Sequence, residues 1–242
     1  MPTDKHLYDA IDNNDLDQVK CLIESEDPLS YAHAYDYSSP CLQATERGHI
    51  EILHYLLEKD YCFVDEGIEN TCYSPLMAAC ENGYAEIAKM LIQHGADINR
   101  QFEKEYEQGF ALTLAIENGH TNIVKLLLDQ GANTECVKWS YDGIGNFRET
   151  PFLLAMQHNH TEDMKLLLEY GADVDGECVI SSEAHTPLSY SVARNKTEWI
   201  QFLLIHGADV HKIVEDGFSV AEYAERLGRL ELLVPAEHEY SK

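Results

Sequence analysis

Residues 74–97 read SPLMAACENGYAEIAKMLIQHGAD, and the spacing within this stretch recurs along the whole chain. Each copy contains one small residue, at Ala10, Ala44, Ala79, Ala115, Ala155, Ser191 and Ala224. Seven positions later each copy has an acid or amide, at Asp17, Glu51, Glu86, Asn122, Glu162, Glu198 and Glu231. Twelve positions after the small residue, the first six copies carry leucine, at Leu22, Leu56, Leu91, Leu127, Leu167 and Leu203. A period of roughly 34 residues predicts stacked helical hairpins that bury a core between neighbours.

The ends of the helices are also marked in the sequence. Ser74-Pro75 and Thr150-Pro151 predict helix starts, because the hydroxyl can cap a helix whose first turn tolerates proline. Thr161 and Thr197 are expected to cap second helices in the same way. Glycines at equivalent positions predict helix ends in the left-handed conformation, and they are Gly95, Gly131, Gly171 and Gly207.

Together these elements resemble the ankyrin repeat, from the Thr-Pro turn through two helices to the Gly-Ala-Asp exit, and the resemblance covers nearly the whole chain. It implies an all-α solenoid of about seven helix-turn-helix units with β-hairpin-like loops, forming a single domain over residues 1–242. The expected units are about 3–35, 36–70, 71–106, 107–146, 147–182, 183–215 and 216–242, with degenerate capping units at both ends.

One departure from the family pattern concerns the contacts between repeats. The family usually has a histidine two residues after the proline, which joins neighbouring repeats by hydrogen bonds. That position here holds Leu42, Met77, Thr113, Leu153 and Ser189. We therefore expect this polar network to be mostly absent.

Composition limits the classes of partner. The chain has 43 acidic and 17 basic residues, a formal net charge of −26, which argues against nucleic acid because phosphate contacts need lysine and arginine. The charge favours a basic protein partner and fast, salt-sensitive association; the alternative is that acidity serves only solubility.

No segment is apolar enough for a membrane span, and no apolar leader is evident at the N-terminus, so we expect neither a membrane segment nor a cleavable signal.

Candidate chemistry is sparse. The seven cysteines include no Cys-x-x-Cys pair, which supports neither a zinc knuckle nor a redox motif and favours a reducing cytoplasm. His158-Asn159-His160 has no further ligand at metal-binding spacing. Gly143-Ile144-Gly145 lacks the third glycine of a dinucleotide loop and is interpreted as a turn. We predict no catalytic residues, no metal and no cofactor.

The resemblance implies that partners bind on the concave side, which is formed by the hairpin tips and first helices. At the surface ends of the first helices, the candidate partner-binding residues are Glu81, Glu117, His158 and Arg194.

The loop over residues 136–148 alternates apolar and polar residues around Asp142-Gly143, which predicts a β-hairpin. Its candidate anchors are Trp139, Tyr141 and Phe147, and Phe102 and Tyr106 suggest a second acidic–aromatic contact. The alternative for each residue is ordinary solvation or packing against its own repeat.

These inferences predict a cytoplasmic, monomeric, non-enzymatic module that binds a partner protein. Two alternatives stay open. The first is an acidic inhibitor or immunity protein that neutralises a basic toxin or nuclease. The second is a bacterial effector, secreted into a host cell, that acts on host proteins. An enzyme is a more distant third class, because no constellation of polar residues typical of catalysis is evident.

Overall fold

The computed structural model describes residues 2–25, 39–67, 71–180, 183–214 and 217–234. The chain divides into two compact units, Met1–Asn133 and Thr134–Lys242, and each unit is described separately. The expectation of one continuous domain over residues 1–242 stays a prediction.

The described part of the first unit contains four helical hairpins: α1 (Pro2–Asp12) with α2 (Leu16–Ser25), α3 (Pro40–Glu46) with α4 (Ile50–Glu58), α5 (Pro75–Asn82) with α6 (Ala85–Gln93), and α7 (Ala111–Glu117) with α8 (Thr121–Asp129). The first helices pack against each other from α1 to α7, and the second helices pack against each other from α2 to α8. A two-stranded antiparallel hairpin, β1 (Gln101–Lys104) and β2 (Glu107–Phe110), precedes α7.

The described part of the second unit contains α9 (Pro151–Gln157) with α10 (Thr161–Glu169), α11 (Pro187–Ala193) with α12 (Thr197–Ile205), and α13 (Val220–Arg226), followed by a 3-10 helix at Leu230–Leu233. Four antiparallel strands lie side by side in chain order: β3 (Lys138–Tyr141), β4 (Asn146–Glu149), β5 (Cys178–Ile180) and β6 (Glu183–His185). The expectation of an all-α fold is therefore corrected. The loops between repeats are long enough to pair as strands, which satisfies their backbone hydrogen bonds.

The recurring small residues have the structural role that their spacing predicts. All seven, from Ala10 to Ala224, are fully buried. The recurring leucines Leu56, Leu91, Leu127, Leu167 and Leu203 are also fully buried, whereas Leu22 is half-exposed. The acid or amide seven positions after each small residue lies at the second residue of a helix, where the helix dipole favours negative charge.

The predicted first-helix caps are confirmed, but the predicted second-helix caps are wrong. The hydroxyls of Ser74 and Thr150 accept hydrogen bonds from the backbone N–H three residues later. Thr161 and Thr197 instead lie inside α10 and α12, and the capping positions are held by His160 and Lys196 without a side-chain cap bond. The left-handed glycines are confirmed, with φ near +90° at the ends of the second helices.

Neighbouring repeats are joined by hydrogen bonds that the sequence analysis did not predict. In the first unit, Asp65 accepts from the backbone N–H of Asp97. In the second unit, Glu135 accepts from the N–H of Asp173 at 3.0 Å, and Asp175 accepts from that of Asp209. The loops that follow the second helices are thus joined from one repeat to the next by hydrogen bonds between a side chain and the backbone. By contrast, the hydroxyls of Thr113 and Ser189 cap their own helices.

Two further findings concern the cysteines and the predicted absence of a membrane segment. Cys41 and Cys62 form a disulfide, which the spacing of the cysteines did not predict. Among the described residues, no helix has both the length and the apolar character needed to cross a membrane.

Candidate partner-binding surface

The β-hairpin predicted within residues 136–148 is confirmed, with its strands at Lys138–Tyr141 and Asn146–Glu149. Strands β3 and β4 pair from Lys138 opposite Glu149 to Tyr141 opposite Asn146. In the turn between them, Oδ1 of Asp142 accepts hydrogen bonds of 2.9 Å from the backbone N–H groups of Ile144 and Gly145. These bonds stabilise the carboxylate and lower the pKa of Asp142.

The three candidate aromatic anchors do not share one face of this hairpin. Side chains alternate between the two faces of a strand, so Trp139 and Tyr141 lie on one face. Phe147 pairs with Ser140 in the register and therefore lies on the opposite face. Trp139 and Phe147 are both half-buried, whereas Tyr141 is exposed. The expectation of one three-residue anchor is replaced by a two-residue aromatic face, formed by Trp139 and Tyr141.

The two faces of the four-stranded sheet differ in exposure. Cys178 and Ile180 are buried on the face that Phe147 shares, and so are Lys138 and Glu149, which lie directly opposite each other. The other face carries a cross-strand row in which each residue is partly or fully exposed: Trp139, Arg148, Val179 and Ala184. The aromatic face of the hairpin therefore continues across β4 and β5.

Ile144 was not among the predicted site residues. It sits at the tip of the hairpin turn and is 91% exposed. Its place in the alternating pattern of residues 137–147 was the signal that could have identified it. An apolar side chain so fully exposed at a hydrogen-bonded turn is a candidate contact for a partner.

Phe102 and Tyr106, the second predicted aromatic pair, differ sharply in exposure. Phe102 is 1% exposed, and its ring packs edge-on against Tyr73 at 5.9 Å. It lies opposite Gly109 in the β1–β2 register, where the absence of a side chain leaves space for the ring. The expectation of Phe102 as a surface anchor is therefore wrong, because the ring completes the core. Tyr106 is 56% exposed at the turn and remains a candidate.

Acidic residues lie near the ends of successive first helices in the first unit. Glu46 ends α3, Glu81 lies near the end of α5, and Glu117 ends α7. Partial desolvation raises the pKa of Glu46, and the charge of Glu81 raises it further against the opposing effect of Arg47. Glu81 accepts a hydrogen bond from the hydroxyl of Tyr73. The pKa of Glu46 therefore depends on the charge of an acid in the next repeat.

Equivalent helix ends in the second unit have a different charge. His158 is the C-cap of α9, is exposed, and lies 5.6 Å from the ring of His160. Arg194 is the C-cap of α11, and its guanidinium lies over the ring of Tyr190 at 5.2 Å. The acidic character of the predicted first-helix residues is thus confined to the first unit.

The described residues do not group into a metal site, and two of their buried cysteines are poorly suited to act as nucleophiles. No group of three or more possible metal ligands occurs among them. Three cysteines are buried without a disulfide, at Cys80, Cys136 and Cys178. Burial raises the pKa of Cys136 and of Cys178 to about 12. A neutral, buried thiol is a poor nucleophile.

Comparisons with solved structures identify the same fold. The ankyrin repeat domain of human ASB11 has a TM-score of 0.66 and 22% identity, and the match covers 96% of this chain and 99% of that one. The ankyrin repeat domain of Bcl-3, described as a unique member of the IkappaB protein family, has a TM-score of 0.75 and 18% identity, with 94% and 97% covered. At these identities the likeness shows the fold alone.

Sequence comparisons identify the family. Ankyrin repeat protein nuc-2 of Neurospora crassa is 28% identical over 102 residues, which is 42% of this chain and 9% of that protein. The chain therefore spans only a small part of this relative's length. A family model described as ankyrin repeats (3 copies) matches residues 7–102 and 112–214, which is most of the sequence. On this match, together with the buried small residues and the left-handed glycines at the helix ends, the chain belongs to the ankyrin repeat family.

Proposed function

We propose that this chain is a non-enzymatic module that binds a partner protein through the exposed side of the β3–β4 hairpin in its second unit. Ankyrin repeat domains generally mediate protein–protein interactions. The observation that carries the proposal is the placement of Trp139 and Tyr141 on one face of a hairpin that ends in the exposed Ile144.

This arrangement suits binding for a physical reason. Aromatic side chains bury a large area on contact and are enriched among the residues that dominate binding energy. Trp139 and Tyr141 are held on a paired strand, so little conformational entropy is lost when a partner docks. The hydrogen bonds of Asp142 hold the turn that presents Ile144.

The test is capture of a partner from native lysate, followed by affinity measurement with the purified partner. We expect the double variant Trp139→Ala/Tyr141→Ala to weaken binding at least about tenfold, since residues of this type often contribute 1–2 kcal/mol or more each. Ile144→Ser should weaken it to a smaller extent. Affinity within twofold of the unmodified protein for all of these variants would falsify the proposal.

Two variants serve as controls for this experiment. Tyr170→Ala removes a tyrosine that is 38% exposed, close to the 42% of Tyr141, from the C-cap of α10. It should leave affinity unchanged. Phe147→Ala alters the opposite face of the same hairpin. A loss with Phe147→Ala as large as that with the double variant would indicate damage to the hairpin instead of a lost contact.

A second candidate function is inhibition of a basic protein. The acids at the ends of successive first helices in the first unit, Glu46, Glu81 and Glu117, together with the net charge of −26, favour it. For this function we expect the association rate to fall steeply between ~50 and ~500 mM salt, where the Debye length drops from roughly 14 to 4 Å. Glu81→Gln should slow association, whereas salt-independent kinetics would exclude steering by these charges.

A further inference from the structure

The second unit contains a cleft that Trp139, Tyr141 and Ile144 do not line. It has a volume of about 420 Å³ and lies between β6 and α13. Its walls include His185 on the strand side and Phe218, Tyr223, Arg226 and Leu227 on the helix side. Glu183 lies at the same cleft, with a side chain that is 73% exposed.

Arg226 is the distinctive residue of this cleft. Its guanidinium lies 4.1 Å from the centroid of the Phe218 ring, which fixes the side chain by cation–π stacking. A guanidinium that stacks through its flat face keeps the N–H donors along its edge available for a ligand. Among the described residues, no carboxylate lies within ion-pair distance of Arg226, although the chain has 43 acidic residues.

The local structure explains why Arg226 lacks an acidic partner. Glu222, four residues earlier on α13, is the position from which a carboxylate would usually pair with it. Its carboxylate instead accepts from the backbone N–H of Ser219 at 2.8 Å and from the Ser219 hydroxyl at 2.9 Å. These bonds close the capping box of α13 and lower the pKa of Glu222. The capping box therefore removes Glu222 from Arg226.

The remaining walls of the cleft complement a carboxylate on a short apolar stem. Tyr223 lines the cleft. Burial and the charge of Glu183 raise the pKa of its hydroxyl against the opposing effect of Arg229, so the hydroxyl remains a donor at neutral pH. Leu227 is 41% exposed and offers an apolar contact. His185 is held in place by Ser189, at 3.3 Å, and by the rings of Tyr190 and Tyr223.

We propose that this cleft binds an acidic segment of a partner protein, in which a glutamate or aspartate side chain pairs with the guanidinium of Arg226 and accepts from the Tyr223 hydroxyl. Charge complementarity selects this occupant, because Arg226 is held by its ring contact and has no ion-pair partner within the part of the chain that the structure describes. Glu183 opposes the ligand, but it is largely exposed and water screens it. Neither Trp139 nor Tyr141 lines the cleft, so either proposal can fail without the other.

The test uses an N-acetylated, C-amidated octapeptide of alternating glycine and glutamate, titrated into the full chain and followed by NMR. Matching glycine–glutamine and glycine–lysine peptides serve as comparators. We use ~150 mM salt, where the Debye length is ≈ 8 Å and long-range repulsion from the acidic chain is reduced. We expect backbone shift changes that saturate at Tyr223, Arg226 and Leu227 with the glutamate peptide only.

Variants assign the interaction to Arg226. Arg226→Gln should weaken the glutamate peptide about fivefold or more, and Arg226→Lys should restore only part of the affinity, because lysine lacks the planar fork. Glu183→Gln should strengthen binding by removing a like charge. Lys196→Gln is the matched control, since Lys196 also stacks on an aromatic ring, that of Trp199 at 5.1 Å, but does not line the cleft.

Four outcomes overturn this proposal. Three of them are equal binding of the glutamine peptide, preference for the lysine peptide, and equal losses for Arg226→Gln and Lys196→Gln. The fourth is the absence of any shift at millimolar peptide. Because Arg226 is exposed on the last turn of α13, its variants should fold, and their thermal melting midpoints check this directly.

Discussion

The side chain of Asn99 joins two successive repeats, because its Oδ1 accepts a hydrogen bond of 2.8 Å from the backbone N–H of Asn133. The Nδ2 of the same amide donates to the carbonyl of Gly131 at 3.2 Å. One residue thus satisfies a donor and an acceptor in the exit loop of the next repeat. The same kind of bond joins Asp65 to Asp97.

The first prediction concerns the two hydrogen bonds made by the side chain of Asn99. We expect Asn99→Ala to lower the free energy of unfolding by about 1–2 kcal/mol, because two hydrogen bonds of ordinary net strength are lost. Urea denaturation at neutral pH measures this. Asn122→Ala is the control, since Asn122 is exposed on α8 and makes no such bond. Equal effects of the two substitutions would show that the bond does not stabilise the stack.

The second prediction compares two leucines at equivalent repeat positions. Leu127 is fully buried in α8, whereas Leu22 in α2 is half-exposed. We expect Leu127→Ala to lower the free energy of unfolding by ~2–5 kcal/mol through lost burial and a residual cavity. Leu22→Ala should have a smaller effect. Chemical denaturation of both variants decides this, and the reverse order would contradict the repeat register used here.

The third prediction concerns the close packing of Gly109. A Cβ added there would lie 2.8 Å from the ring of Phe102 and 3.1 Å from the Thr113 hydroxyl. We expect Gly109→Ala to destabilise the protein by about 1–3 kcal/mol, because a fully buried ring must move. The same substitution in a Phe102→Leu background should have a smaller effect. An unchanged penalty in that double-mutant cycle would place the strain elsewhere.

The fourth prediction is a pH dependence of the hairpin turn. Hydrogen bonds from Gly145 and Ile144 lower the pKa of Asp142 in the folded chain below its ordinary value of 3.8. Their stabilising effect is fully present above the unfolded pKa and is lost as pH falls through the lower, folded pKa. We expect the Ile144 and Gly145 amide shifts in NMR spectra to titrate with a midpoint below 3.8.

A conservative variant provides the control for this pH dependence. Asp142→Asn keeps an oxygen acceptor at Oδ1 but does not titrate, so its turn amides should keep their shifts over the same acidic range. If both proteins titrate alike, the signal reports other carboxylates among the 43 acidic residues. A midpoint at or above 3.8 in the unmodified protein would contradict the hydrogen-bond explanation.

The candidate site was predictable only in part, and the limits have identifiable causes. The hairpin over residues 138–149 was predictable because its alternation and its Asp-Gly turn are local signals. The face occupied by Phe147 was not predictable, because it depends on the register and on the turn length. The cleft beside Arg226 had no signal, since it requires β6 and α13 to meet and Glu222 to be engaged by Ser219.

The sequence by itself determined the repeat family, the helix boundaries marked by Ser74, Thr150 and the left-handed glycines, and the burial of the small residues. These features are periodic or lie within a few residues of each other, so the chain specifies them locally. Tertiary structure decided that Phe102 packs against Tyr73 in the core and that Asn99 bridges to Asn133. Both contacts join residues about one repeat apart, and only the stacking of neighbouring hairpins brings such residues together.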